Sequence, residues 1–221
     1  MNEFSKEDFI AFAQDKGLYV LGKNDEKKFV ECGVDAFLGY EMYDMFFNHY
    51  DTPDKSYKDK LALLMQLLFR GSPEAVIIAN SKDVDGFAQF LPPGFSGTPL
   101  LRYILVGGWK MPFLHNGIST ITRSGAVEKY SFMKKNEITQ NEDIYLYNLA
   151  VKHNMQHRHI ASTLIHTMQE YAQNIGRCCY LETYDPNNVT IYERMGFTLQ
   201  KESCVPNSDL THYPFLKIPT E

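Results

Sequence analysis

The sequence predicts a mixed α/β (α+β) fold, a mostly antiparallel sheet of about six or seven strands holding one parallel pair, and three patterns lead to it. The first is strand, loop, helix, strand between residues 144 and 183. Ile144–Val151 is an apolar run of strand length, and Lys152–Arg158 is a polar loop. Ile160, Ala161, Leu164, Ile165, Met168, Ala172 and Ile175 then repeat at the spacing of one buried helix face, with Gly176 at the C-cap position. Cys178–Thr183 follows as a second strand, at the crossover length of a βαβ unit, so the two strands run parallel. The second pattern is a hairpin. Ala75–Ala79 and Gly86–Leu91 flank a polar, glycine-ended loop, and Pro92-Pro93-Gly94 stops the second strand. The third is a set of amphipathic helices placed before the hairpin and between it and residue 144.

In chain order, Ser5 and Asp8 form a capping pattern for a short helix closed by Gly17, and Leu18–Leu21 is a short strand. Phe29, Val30, Val34, Phe37 and Leu38 mark a helix between Asp25 and Leu38. Tyr40–Phe47 is an aromatic-rich loop or second short helix, and a further helix after Asp51-Thr52-Pro53 carries Tyr57, Leu61, Leu64 and Leu68 on one stripe. Thr98-Pro99 opens another helix, with a capping hydroxyl and proline at the first helical position, and Gly107-Gly108-Trp109 breaks it. Ser124–Lys135 supplies one more helix. Asn187–Arg194 is a short helix ended by Gly196, and Phe197–Lys201 and Tyr213–Ile218 are strands joined by a polar loop.

Composition narrows the class. The 221 residues are 44% apolar, enough for one substantial core, and 22 basic against 27 acidic residues give a net charge of −5. No long basic cluster occurs, which argues against nucleic acid or an anionic membrane as partner. Cys32, Cys178, Cys179 and Cys204 have neither CxxC spacing nor a disulfide-framework pattern, and adjacent Cys178 and Cys179 in a strand point to opposite faces as packing residues. The charged start, Met1–Asp8, lacks a signal-peptide core, and no apolar run reaches the roughly 18 residues of a membrane span. A cytoplasmic location is the expectation.

A helix N-terminus behind a strand collects unpaired N–H groups at the positive end of the helix dipole, so residues 156–162 are a candidate anion cradle. The residues that line up with it resemble a family. Leu149-Ala150-Val151, Gln156-His157-Arg158-His159-Ile160-Ala161, Leu181-Glu182-Thr183, and Asn188 with Tyr192-Glu193-Arg194-Met195-Gly196-Phe197 are similar to the acetyl-CoA-binding core of the GNAT superfamily of N-acetyltransferases. Gln156 and Ala161 match the ends of that family's Gln/Arg-x-x-Gly-x-Gly/Ala loop; His159 stands at its middle glycine and His157 at a second common glycine. The extra helix pair before residue 144 and the Leu91-Pro92-Pro93-Gly94 strand ending resemble the puromycin acetyltransferase-like branch.

The resemblance implies a GNAT fold with helices on both faces of the sheet, its parallel pair splayed at the coenzyme. It implies one domain over residues 1–221: an N-terminal helical acceptor-side part, 1–74, and the hairpin with the acetyl-CoA-binding core, 75–221. The implied activity is transfer of an acetyl group from acetyl-CoA, as cosubstrate, to a primary amine of a small molecule by direct attack. No covalent enzyme intermediate is needed. Leu149, Ala150 and Val151 would hold the pantetheine through backbone N–H groups, and Gln156, His157, Arg158, His159, Ile160, Ala161 and Ser162 the pyrophosphate. Asn188 bonds the pantetheine arm or caps its helix, or does both. Tyr192 would protonate the departing thiolate, and otherwise closes the core beside Phe197. Glu182, at the carboxyl end of a parallel strand, is the candidate base, with a solvated edge carboxylate as its other reading. Tyr40, Tyr43 and Phe47 lie in the part that covers the acceptor in that family, or are core aromatics.

His153, His157, His159 and His166 also cluster, and His153 with His157 has helical metal-pair spacing, but a strand-to-helix boundary divides the group and no cysteine or carboxylate completes it, so no metal is expected. The resemblance leaves room for a homodimer. The reading from another class is a non-catalytic acyl-CoA-binding or sensing module whose pyrophosphate loop, with His159 in place of glycine, has lost turnover.

Overall fold

The computed structural model describes residues 3–48 and 55–220. The sequence-predicted break at Asp51-Thr52-Pro53 lies outside them. Helix α1 (Lys6–Asp15) begins where the Ser5 hydroxyl accepts the Asp8 N–H, satisfying one of the amides that a helix start leaves unpaired. Strand β1 (Tyr19–Val20) and helices α2 (Glu26–Phe37), α3 (Glu41–Phe47) and α4 (Lys55–Gly71) complete the first part of the chain. Then come β2 (Val76–Ala79), β3 (Gly86–Leu91), α5 (Leu100–Leu105), a 3-10 turn over Gly108–Phe113, α6 (Gly117–Thr139) and β4 (Asp143–Val151). Helix α7 (Ile160–Ile175), β5 (Cys178–Thr183), α8 (Val189–Arg194), β6 (Thr198–Leu199), β7 (Ser203–Cys204) and β8 (Thr211–Lys217) follow.

The sheet runs β1-β2-β3-β4-β5-β8-β6, with β7 paired to β8. Every pairing is antiparallel except β4 with β5. This is the predicted mixed sheet with its parallel pair. Helices cover both faces. Phe9 of α1 and Leu164, Ile165 and Met168 of α7 pack with Val76, Ile144 and Leu146 on one side. Phe29 of α2, Phe46 and Phe47 of α3 and Leu61 and Met65 of α4 pack with Ile77 and Phe87 on the other. Each face reads out the period-2 alternation of the strands and the 3.6-residue period of the helices.

Three elements differ from the sequence reading. Thr98 does not cap α5. Pro99 takes the N-cap position itself, and the Thr98 hydroxyl lies 3.1 Å from that of Ser72, so a contact to the residue that follows α4 has displaced the local cap. Helix α6 is much longer than Ser124–Lys135 at both ends. Its β-branched start, Ile118 to Thr122, has weak helix propensity, but Thr120 is fully buried and the segment packs on α3 and the 3-10 turn, so tertiary burial overrides propensity. Gly117 makes that packing possible, because a Cβ there would meet the Met111 carbonyl oxygen at 1.7 Å. At its far end α6 is held by a buried pair, Lys135 Nζ to Asp143 Oδ1 at 3.1 Å. Finally, the polar loop before β8 contains the short strand β7, paired through Ser203–His212 and Cys204–Thr211.

Candidate active site

The site begins with an irregularity in β4. The β3–β4 register passes from Gln89 opposite Asn148 to Phe90 opposite Leu146, so Tyr147 is an extra residue in the strand. One extra residue inverts which side chains face which side. Before it Ile144 and Leu146 face α7; after it Leu149 and Val151 do. The parallel ladder also ends there: β4 and β5 pair from Asp143–Cys178 to Leu146–Leu181 and no further. Among the described residues, the edge of β4 that faces β5 has no strand partner from Tyr147 to Val151. The strands separate at their carboxyl ends, where ligands collect in parallel arrangements.

A cleft of about 700 Å³ opens at this split. Its floor is Tyr145–Leu149 of β4 and Leu181–Tyr184 at the end of β5. Its walls come from α3, α4, α5, the 3-10 turn and α6, and Asn188 and Tyr192 close one end. Of the residues chosen from sequence, Leu149, Glu182, Asn188 and Tyr192 meet in this cleft. Ala150, Val151 and Gln156–Ser162 do not line it. Ala150 is buried in the core beneath α2, and Gln156, His157, Arg158 and His159 form the exposed approach to α7. Tyr40 and Tyr43 line the cleft, whereas Phe47 lies in the core against Tyr57.

The loop has the backbone expected of a glycine-rich cradle without the glycines. His157 and His159 both adopt φ 62°, in the left-handed region that a Cβ disfavours. His159 is the N-cap of α7 and its carbonyl accepts the N–H and hydroxyl of Thr163 and the hydroxyl of Ser162. The amides of Ile160, Ala161 and Ser162 precede the first i to i−4 bond of the helix and point out of its N-terminus. His153 is held by Asp35, which accepts its N–H at 2.7 Å. Among the described residues no group of three His, Cys, Asp or Glu side chains is arranged to hold a metal ion.

At the end of β5, Thr183 joins both sides of the cleft. Its hydroxyl lies 3.1 Å from the Tyr40 hydroxyl and accepts from Asn188 Nδ2 at 3.1 Å. Asn188 stands at the N-cap position of its helix but makes no side-chain cap there; its Nδ2 donates to Thr183, while Asp185 accepts the Asn187 N–H just before it. Tyr192 lies against Phe215 and Phe197, at 5.5 and 6.4 Å between ring centres. Burial raises its hydroxyl above the ordinary phenol range, so it stays protonated.

Glu182 is not a solvated edge carboxylate. Tyr145 and Tyr180 donate to it at 2.9 Å each, and His212 Nε2 lies 2.6 Å from Oε2. Burial alone would raise its pKa, but the hydrogen bond and charge of His212, helped by the hydroxyl donors, hold it below the ordinary carboxylate value. Three donors and a lowered pKa make Glu182 a weak base. The second carboxylate of the cleft, Glu128 of α6, had not been singled out from the sequence. Tyr103 donates to its Oε1 at 2.9 Å and Tyr147, the bulged residue, at 3.3 Å. Desolvation outweighs those two phenols and raises the Glu128 pKa. Its only local signal is its place one residue after Val127 and three before Ser131, both buried on the same helix.

Residues 125–197 match the family model described as acetyltransferase (GNAT) family. That segment is similar to GNAT acetyltransferases. It runs from the Glu128 turn of α6 through β4, α7, β5 and α8, the elements that frame the split. Solved structures share the fold over most of the chain. One is that of histone acetyltransferase HPA2 and related acetyltransferase from Corynebacterium glutamicum, with 16% identity, TM-score 0.55 and coverage of 92% of this chain and 96% of that one. A Drosophila melanogaster polyamine N-acetyltransferase shares 10% identity at TM-score 0.55, covering 91% of this chain and 99% of its own. The PaiA N-acetyltransferase of Thermoplasma acidophilum, solved with coenzyme A, shares 12% identity at TM-score 0.50, covering 91% and 97%. No curated protein sequence matches the chain. Among the described residues no helix is long and apolar enough to cross a membrane.

Proposed function

We propose that the protein is an acetyl-CoA-dependent N-acetyltransferase acting on a primary amine of a small molecule. The observation that carries this reading is the split after Leu146–Leu181, with an unpartnered β4 edge, Asn188 and Tyr192 facing one cleft. Acetyl-CoA supplies an activated thioester: the acceptor ammonium gives a proton to solvent, the neutral amine forms the C–N bond at the carbonyl carbon as the C–S bond breaks, and the proton shed by the new amide nitrogen replaces the one the thiolate takes. The free edge of β4 at Leu149–Val151 offers N–H groups to a pantetheine arm, and the amides at the start of α7, with Gln156, His157, Arg158 and His159, suit a pyrophosphate. Tyr192 holds a proton at its hydroxyl for the departing sulfur.

The pair α5 and α6 between hairpin and core strand supports placement beside the puromycin acetyltransferase-like branch. Residues 1–74 supply α2 to α4 on the acceptor side of one domain, and 75–221 the coenzyme core. The mild negative charge and the absence of a basic cluster fit a cytoplasmic enzyme that engages neither nucleic acid nor membrane.

The test combines calorimetry with thiol release. Acetyl-CoA should bind in the micromolar range, and Tyr192→Phe should lower turnover by about 100-fold or more while leaving that affinity unchanged. Loss of affinity with intact turnover, or no acetyl-CoA binding at all, would remove the reading; binding without amine-dependent thiol release would favour the sensing module.

A further inference from the structure

We propose that the acceptor is a monoamine on an extended apolar body, its ammonium held by Glu128 and its body lying along α4 and α5; this rests on the acetyltransferase reading above. Glu128 and Glu182 are the only charged side chains that line the cleft among the described residues, and the remaining wall is dominated by aliphatic and aromatic groups. Glu182 is saturated by Tyr145, Tyr180 and His212. Among the described residues Glu128 has only two phenol donors, and a carboxylate has about four lone-pair positions, so it keeps acceptor capacity for a cation.

Charge count decides between acceptor types. A polyamine brings several ammonium groups, and each one buried without a counter-charge is costly. One available carboxylate matches one ammonium. What extends beyond it is apolar: Leu64 and Leu68 of α4 line the cleft, and its wall continues into Leu100, Ile104 and Trp109, which are 67%, 43% and 57% exposed. Soluble proteins rarely leave such a group of large apolar side chains in contact with water without using it. The exposed rim is continuous with the cleft wall, so an acceptor too long for the cleft finds apolar surface outside it.

The experiment uses the full-length protein and n-butyl-, n-hexyl- and n-octylamine, with spermidine and n-octanol as comparators. For acetylation, kcat/KM should rise about three- to fourfold per added methylene and spermidine should be the poorest acceptor. Glu128→Gln should raise the KM for octylamine about tenfold or more, with the affinity for acetyl-CoA unchanged. By calorimetry with free CoA present, the same substitution should weaken octylamine binding to that extent and leave octanol binding as it was. A flat dependence on chain length, spermidine outrunning octylamine, or octylamine binding indifferent to Glu128→Gln would overturn the proposal. The two readings fail separately. Glu128-dependent octylamine binding without any acetyl transfer sustains this assignment and removes the transferase, whereas turnover of short or multiply charged amines alone sustains the transferase and removes this assignment.

Discussion

Glu182 on the floor of the cleft and Glu128 in its wall are both withdrawn from water, yet their pKa values move in opposite directions. The floor is a finished network, in which Tyr145, Tyr180 and the fully buried His212 converge on one carboxylate. The wall is unfinished: Tyr103 and Tyr147 reach a single oxygen of Glu128, and desolvation wins. Burial therefore does not decide what a carboxylate does; the number and charge of its donors does. A saturated carboxylate fixes the ends of β5 and β8, and an unsaturated one is left with capacity for a ligand.

The largest effect expected from breaking this contrast is on the floor. Glu182→Ala strands three buried donors and should cost about 3–5 kcal/mol in chemical denaturation, as when one partner of a buried pair is removed. A loss under about 1 kcal/mol would show that water replaces the carboxylate.

The pH dependence sharpens the contrast, because the two groups have opposite linkage signs. Glu182 has a lowered folded pKa, so its stabilisation is present above the ordinary carboxylate range and is lost as pH falls through the folded value. Glu128 has a raised folded pKa, so its stabilisation is present at low pH and is lost as pH rises through that value. Melting curves across acidic to neutral pH should therefore show Glu128→Gln gaining on the parent protein as pH rises, in the absence of amine. A parallel pair of curves would mean that Glu128 is better solvated than the structure indicates.

The smallest effect belongs to the loop. His159 holds φ 62° with a Cβ, which costs roughly 1–2 kcal/mol, and glycine would relieve that strain while adding freedom to the unfolded chain. His159→Gly should change stability by less than about 1 kcal/mol and leave acetyl-CoA affinity within a few-fold. A large loss of affinity would give the imidazole a direct part in holding phosphate.

Much of the fold was legible because it is written in local periods. The alternation in Ile144–Val151, the buried stripe of α7 and its Gly176 cap are read within a few residues, and β4, α7 and β5 stand where those signals put them. Local signals failed where a distant partner competed. Thr98 turned to Ser72, Asn188 turned to Thr183, and α6 grew through a β-branched stretch because Thr120 found a buried place. The bulge at Tyr147 has no signature of its own in the sequence, yet it inverts the strand and aims the phenol at Glu128.

The sequence by itself determined most of the strands and helices, that one pair of strands is parallel, and that a helix N-terminus stands behind the first of them. These follow from periodicity and capping, which act over three or four residues. Only the tertiary structure decided that β4 and β5 part after Leu146 and which carboxylate stays open. Glu182 meets His212 across 30 positions and Glu128 meets Tyr103 across 25, and a partner that far away in the chain leaves no mark on the pattern around either glutamate.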